Sequence, residues 1–342
     1  MAVKLLVTGG YFDEGADGVI HHVELDSGRV ETWARWQPPA ELAVPTKGFA
    51  GARRDATRLW VAAHAAVVRF DLATARVDGV LHQPDFNDLH DVALDDGDLL
   101  IANTGSDAVE RVSRAGVFIG RHSWLPAWAQ ARRMQGQISD DLERACEVGW
   151  TGAAPTWVPG EGHAGYHSHA SERARAPYHR TKVVDRVHPN HLVRVEGEWL
   201  ATCLYDGSVR ALADSRSRLR VPGHPHDGIV EDGQLWLTTI DGGIWRAPLP
   251  LASNEPQRVA EVFAPGRVGW CRGLLLTPEL IVVGLTEVRR ERLPRHRWAD
   301  ADPRESVTGL VVLERRGYAQ VGFVDLTDRG RHHKIYSILE AP

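Results

Sequence analysis

Five segments of this chain share one arrangement: a side chain able to bind metal stands near the start of a short apolar strand, followed by a tight turn and a second strand. They are His90 in LHDVALDDGDLLIAN, His191 in NHLVRVEGEWLATC, His226 in HDGIVEDGQLWLTT, Cys271 in CRGLLLTPELIVVG, and His332 or His333 in RHHKIYSILEAP. Elsewhere too, short runs of Val, Leu, Ile, Trp and Tyr are bounded by Gly, Asp, Asn or Pro, the pattern of many short antiparallel strands. They group into units of roughly 35 to 45 residues, the spacing of radially repeated four-stranded sheets.

Full units run from Lys47 to Gln83, Asp88 to Trp124, Asn190 to Pro222, His224 to Pro265 and Gly269 to Leu326, the last lengthened by the polar insert RRERLPRHRWADADPRES. What remains is three strands at the N-terminus, KLLVTGG, GVIHHVELD and RVETWARW, and one at the C-terminus, KIYSILEA. A unit split between the chain ends closes a ring and leaves no open sheet edge. The fold expected is therefore all-β, a six-bladed β-propeller closed by the terminal strand. The 342 residues would form a single domain. Residues 125–188 break the period. They begin with helix formers, continue as Gly-, Pro- and His-rich loop, and predict a partly helical lid over the face where the His column emerges.

Counting back eight residues from Asp98, Gln234 and Glu279, which open second strands, lands on His90, His226 and Cys271; His191 lies seven before Glu198. The same count from Arg58 lands on Ala50, a blade with no ligand. Equivalent positions in radially repeated blades meet at the axis, so His90, His191, His226 and His333 are the predicted ligands of one divalent metal. Strand alternation lets only one of His332 and His333 face the axis, and His333 is preferred. A thiolate would overfill a four-imidazole site, which makes Cys271 a bystander. Asp91, Asp227, Asn87, Asp88 and Asn190 are nearby acceptors for the outer imidazole nitrogens.

Loops on the same face bring further candidates. Tyr205 is a proton donor, Glu287 a base or hydrogen-bond acceptor, and Arg290, with Arg289, an anchor for a substrate carboxylate. Asp13, Glu14, His64, Asp107, Asp206 and Asp241 share that face, where a hairpin role is the simpler reading. His163, His167 and His169 crowd the lid and suit a shuttle better than a ligand set.

A net charge of -5 gives no reason to expect nucleic acid or an anionic membrane as partner. Arginine greatly outnumbers lysine, the mark of a GC-rich genome. The short apolar run at the start is no signal-peptide core, so a cytoplasmic location is expected. Three cysteines without a CxxC pair argue against a disulfide framework.

Units such as PNHLVRVEGEWLATCLYDGSVRAL and HPHDGIVEDGQLWLTTIDGGIWRA resemble the blades of six-bladed propellers of the NHL-repeat and gluconolactonase-like group. Gluconolactonase-like enzymes are expected to hold metal through Glu, Asn and Asp, and the His column departs from that. In ligand type it is more similar to the four-His Fe(II) site of carotenoid-cleaving oxygenases, or to the His sites of propeller lyases that use Zn or Mn. The resemblance implies an oxidoreductase with Fe(II), or a lyase with Zn or Mn, and Trp150, Trp157 and Tyr166 in the lid, with arginines near the mouth, suggest a small substrate that is part apolar and part anionic. The competing class is a non-enzymatic propeller that binds a ligand or a protein on the same face.

Overall fold

The computed structural model describes the chain from Val3 to Pro342 apart from residues 14, 41, 45–46, 84–85, 125–156, 159–186, 252–254, 290–295, 297, 299–305 and 329. Six four-stranded antiparallel sheets surround an axis. The first blade takes β1 (Lys4–Tyr11), β2 (Gly18–Glu24) and β3 (Arg29–Trp36) from the N-terminus. The second holds β4 (Phe49–Arg54), β5 (Arg58–Ala63), β6 (Ala66–Asp71) and β7 (Arg76–His82). The third holds β8 (Leu89–Asp95), β9 (Asp98–Asn103), β10 (Ala108–Ser113) and β11 (Phe118–Ser123). A two-residue strand, β12 (Trp157–Val158), pairs with the outer edge of β7 and belongs to the predicted lid, most of which lies outside the described residues.

The fourth blade holds β13 (Pro189–Val195), β14 (Glu198–Cys203), β15 (Ser208–Ala211) and β16 (Ser217–Arg220). The fifth holds β17 (Pro225–Glu231), β18 (Gln234–Thr239), β19 (Gly243–Pro248) and β20 (Gln257–Glu261). The sixth holds β21 (Trp270–Leu276), β22 (Leu280–Thr286), β23 (Gly309–Glu314) and β24 (Gln320–Asp325). The last strand, β25 (His333–Glu340), pairs antiparallel with β1 and becomes the innermost strand of the first blade, closing the ring as the sequence predicts. The inner strands follow one another around the axis as β25, β4, β8, β13, β17, β21 and back to β25.

Turn chemistry sets these hairpins. Glu196-Gly197 and Asp232-Gly233 join inner to second strands with positive φ at both residues, the conformation that matches strand twist in a two-residue hairpin. Between blades the packing is apolar, and each adjacent pair shares one cluster. Phe49, fully buried between the first and second blades, meets Phe70 edge-on at 5.7 Å and stacks on Trp36 at 6.0 Å. Its truncation to alanine would cost about 3–5 kcal/mol.

Regularity fails at one place in every inner strand. β4 slips register between Phe49 and Ala52, β8 between Leu89 and Asp91, and β13 between Pro189 and His191. β17 slips between Pro225 and Gly228, and β21 between Cys271 and Leu274. In β25 the slip falls at Tyr336, between Ile335 and Ser337. Each bulge inserts one residue without a cross-strand partner and re-aims the side chains around it. Two glycines permit the close approach that follows. A Cβ at Gly51 would lie 2.3 Å from Asp91 Oδ1, and one at Gly9 would lie 2.1 Å from the Lys334 carbonyl oxygen.

Candidate functional site

The bulged residues form the ring that lines the axis where the inner strands begin. Counting back eight residues from the true openings of the second strands, Arg58, Asp98, Glu198, Gln234 and Leu280, gives Ala50, His90, Asn190, His226 and Arg272. Two of the sequence assignments are therefore one residue out. Pro278-Glu279 is the turn before β22, so Arg272 rather than Cys271 occupies the column, and Asn190 rather than His191 occupies it in β13. In a strand a one-residue slip sends a side chain to the other face.

His90 and His226 do come together, with ring centroids 6.4 Å apart, and Tyr336 stands 5.6 Å from His90 and 6.1 Å from His226. The Asn190 Nδ2 donates to the Pro225 carbonyl at 3.2 Å, which leaves its Oδ1 to accept from His90 Nδ1 at 2.8 Å. His226 Nδ1 donates to Asp227 Oδ2 at 3.1 Å, and the same oxygen accepts from Thr238 and from the Gly273 backbone. Burial alone would raise the Asp227 carboxyl, but His226, His191 and Thr238 outweigh it and hold the group below its ordinary value. The other ring nitrogen of His226, Nε2, is buried and meets no hydrogen-bond partner among the described residues.

The remaining predicted ligands do not join this pair. His191 lies with Asp91 and Asp227, its Nδ1 3.3 Å from Asp91 Oδ2 and its Nε2 2.8 Å from Arg53 Nη2, so both of its nitrogens are used. Burial lowers its pKa most, and the carboxylates offset part of that. His333 points between blades: its Nδ1 donates to the Leu326 carbonyl at 3.1 Å and its Nε2 lies 3.3 Å from that of His21. Burial first, and His21 second, depress its pKa to about 4. His332, the alternative, is half exposed and pairs with Glu287 at 3.2 Å. Cys271 sits in the apolar layer between the fifth and sixth blades, where burial pushes its thiol up. Among the described residues no group of three or more His, Cys, Asp or Glu is arranged to hold a metal ion. The four-imidazole centre is thus not assembled.

Three members of the ring, His90, Arg272 and Tyr336, line a cavity of about 420 Å³. Its cations are Lys47, Arg272, Arg289 and Lys334, and its carboxylates are Asp88 and Glu287. Asp88 accepts from Lys47 Nζ at 2.8 Å. Arg272 is held between two rings, its guanidinium carbon 4.2 Å from the Tyr336 centroid and 5.1 Å from that of Trp270. Its Nε and Nη1 are shut off from solvent and meet no acceptor among the described residues. Lys334, only 3% exposed, places Nζ 5.3 Å from the Phe12 ring and 5.7 Å from Tyr336. Burial, then the charges of Lys47 and Arg272, hold its amine well below the ordinary lysine value.

The loop candidates divide. Tyr205 lies at the mouth, 48% exposed and 4.9 Å from the His188 ring, and Glu287 and Arg289 line the wall. Arg290, with most of the lid including His163, His167 and His169, lies outside the described residues, as does Glu14. Asp206 pairs with Arg210 within its own loop, and Asp13 pairs with Arg331 at 2.6 Å, which ties the loop after β1 to the one before β25. Asp107 accepts from the backbone of Val187 and His188, which sets the latter against His90 at 4.8 Å. Sequence reasoning missed Arg272, Lys334 and Tyr336. The signal for Arg272 was the eight-residue count, had the turn been placed at Pro278-Glu279.

No family model matches the chain, and no curated protein matches it by sequence. Solved structures do match. A nidogen/laminin complex structure superposes with a TM-score of 0.56 at 9% identity, covering 99% of this chain and 98% of that one. A candidate 6-phosphogluconolactonase from Bacteroides fragilis superposes with a TM-score of 0.50 at 9% identity, covering 94% of this chain and 81% of that one. At such identities the likeness establishes the fold, a six-bladed propeller, and leaves the chemistry to the site. No helix among the described residues is long and apolar enough to cross a membrane.

Proposed function

We propose that the protein binds and acts on a small organic anion in the axial cavity, with Arg272 as its carboxylate anchor. One observation carries this reading: Arg272 is fixed between Trp270 and Tyr336 with two buried donors that no described acceptor meets. A buried donor without a partner costs about 1–3 kcal/mol, more when charged, and a carboxylate accepting from the guanidinium would recover part of it. The rings of Phe12, Trp270 and Tyr336 supply an apolar wall for the rest of the molecule. His90, tied through Nδ1 to Asn190 with its Nε2 3.7 Å from Asp88, lines the cavity and would take part in proton transfer. Calorimetry with benzoate, phenylacetate, lactate and pyruvate, and with the matching neutral amides, tests it. Saturable binding of at least one carboxylate at a single site, with the amides silent, is the expected result; no carboxylate binding would overturn the reading.

A metal-dependent version has one observation in its favour, the partnerless His226 Nε2 opposite an Nδ1 that is already donated to Asp227. His90 and His226 would hold the ion, with water or substrate completing its shell, and a bound Fe(II), Zn or Mn would supply Lewis acidity or oxygen activation. Metal analysis after reconstitution is the test. A stoichiometric ion lost in His226→Ala supports this version, and less than about 0.2 equivalents in the wild type rejects it.

A further inference from the structure

We propose that Lys334 forms a covalent imine with the carbonyl carbon of the bound anion, which makes the substrate class a short oxo-carboxylate such as a 2-oxo acid. The inference rests on the reading of the axial cavity as an anion site. Its starting point is the placement of lysine. Lys4, Lys47, Lys182 and Lys334 are the only lysines in a chain with 40 basic residues, and two of them, Lys47 and Lys334, line this one cavity. Arginine serves for charge throughout the rest of the protein. Only lysine offers an amine able to lose its proton and attack a carbonyl.

The two lysines differ in setting. Lys47 places its Nζ 2.8 Å from Asp88 in an ion pair. Lys334 lies on β25 beside the bulge at Tyr336, almost wholly buried, with the Phe12 and Tyr336 rings near Nζ. Gly9 on β1 is what lets the backbone there sit so close. Removal from water first, then the nearby cations, outweigh the Asp88 carboxylate and favour the neutral amine, the usual means of activating a lysine nucleophile. Arg272 and Lys334 both face the Tyr336 ring, at 4.2 and 5.7 Å, so a ligand a few atoms long touches both. The carboxylate end meets the guanidinium and the adjoining carbonyl meets the amine.

The step balances without any redox partner. The Nζ lone pair forms a bond to the carbonyl carbon while the C=O π pair moves to oxygen, which takes up one amine proton. The second amine proton leaves with that hydroxyl as water, and the nitrogen pair closes the C=N bond. The product is an imine plus one water.

The experiment uses the full chain with pyruvate, glyoxylate and phenylpyruvate, each with cyanoborohydride, read by intact mass and peptide mapping. One reduced adduct per chain at Lys334 is expected with at least one of the three, and its complete loss in both Lys334→Met and Lys334→Arg. Melting temperature and circular dichroism of the variants show that they fold, and the arginine variant keeps the cation without the amine chemistry. Adducts spread equally over Lys4, Lys47 and Lys182, or no Lys334 adduct with any of the three acids, would overturn the inference. Lactate, which has no carbonyl to trap, separates the two failures. If wild-type protein binds lactate yet yields no adduct, the imine alone is wrong; if it binds neither lactate nor the oxo acids, the anion site falls with it.

Discussion

Two pairs of histidines in this protein show how much a bulge decides. His21 and His333 stand on strands of the first blade, their rings 4.9 Å apart and edge to face, with His333 Nδ1 on a backbone carbonyl. His90 and His226 are just as buried, yet they stand on the axis at bulges, and His226 keeps a ring nitrogen with no partner among the described residues. The first pair packs within the fold, although the His21 Nδ1 too meets no partner among the described residues. In the second, His90 lines a cavity that also holds Arg272, whose buried donors are likewise unmet among the described residues. A buried polar group without a partner calls for an explanation, and on Arg272, which lines a cavity, a bound ligand supplies one.

The largest expected effect separates the cavity from the layers around it. Arg272→Met keeps an unbranched apolar stem between Trp270 and Tyr336 but removes the donors. Carboxylate affinity should fall by about ten- to a hundred-fold, the worth of charge-assisted hydrogen bonds at about 1.5–3 kcal/mol, with little change in melting temperature. Loss of fold instead of loss of affinity would assign Arg272 to the structural side of the comparison.

The next effect runs the other way. His333→Ala opens a void and strips His21 of its neighbour, and should cost about 2–3 kcal/mol in urea unfolding while leaving carboxylate affinity unchanged. A variant that loses ligand binding at full stability would place His333 back among the functional residues.

Acid sharpens the same contrast. Burial holds both His21 and His333 at about 4, against 6.5 for an exposed imidazole. The native pair stays neutral at a pH where the unfolded chain's imidazoles are protonated, so unfolding takes up protons between about pH 6.5 and 4. The pair's stability is therefore complete above that window and declines as pH falls through it, by up to about 3 kcal/mol for one such histidine. Urea midpoints measured across pH should show the decline, and His333→Leu should flatten it.

The smallest effect belongs to the rim. Tyr205 is half exposed at the cavity mouth, and Tyr205→Phe should alter carboxylate affinity by less than about twofold. A larger loss would make its hydroxyl a direct ligand contact.

The fold was legible because its signals are local. Asp232-Gly233 and Glu196-Gly197 mark hairpins by turn chemistry, the unit length repeats, and KIYSILEA completes the three N-terminal strands. The site was legible only in part, because the residues that build it sit where strand periodicity breaks. His90 and His226 were found by counting from Asp98 and Gln234, whose hairpins are of equal length. At Pro278-Glu279 the turn falls one residue later than the apolar pattern suggests, which hid Arg272 behind Cys271. His333 was chosen by alternation, and the bulge at Tyr336 leaves Lys334 and Tyr336 lining the cavity instead. A bulge has no signature in a two-residue hydrophobic period, so no count of alternation recovers these faces.

A crystal structure of the protein with a bound aromatic carboxylate bears on all of this at once. A carboxylate oxygen should lie within hydrogen-bond distance of the Arg272 guanidinium, with the ligand ring against Phe12, Trp270 or Tyr336. A ligand seated elsewhere, or an Arg272 turned away onto a protein acceptor, would contradict the assignment of the axial cavity as an anion site.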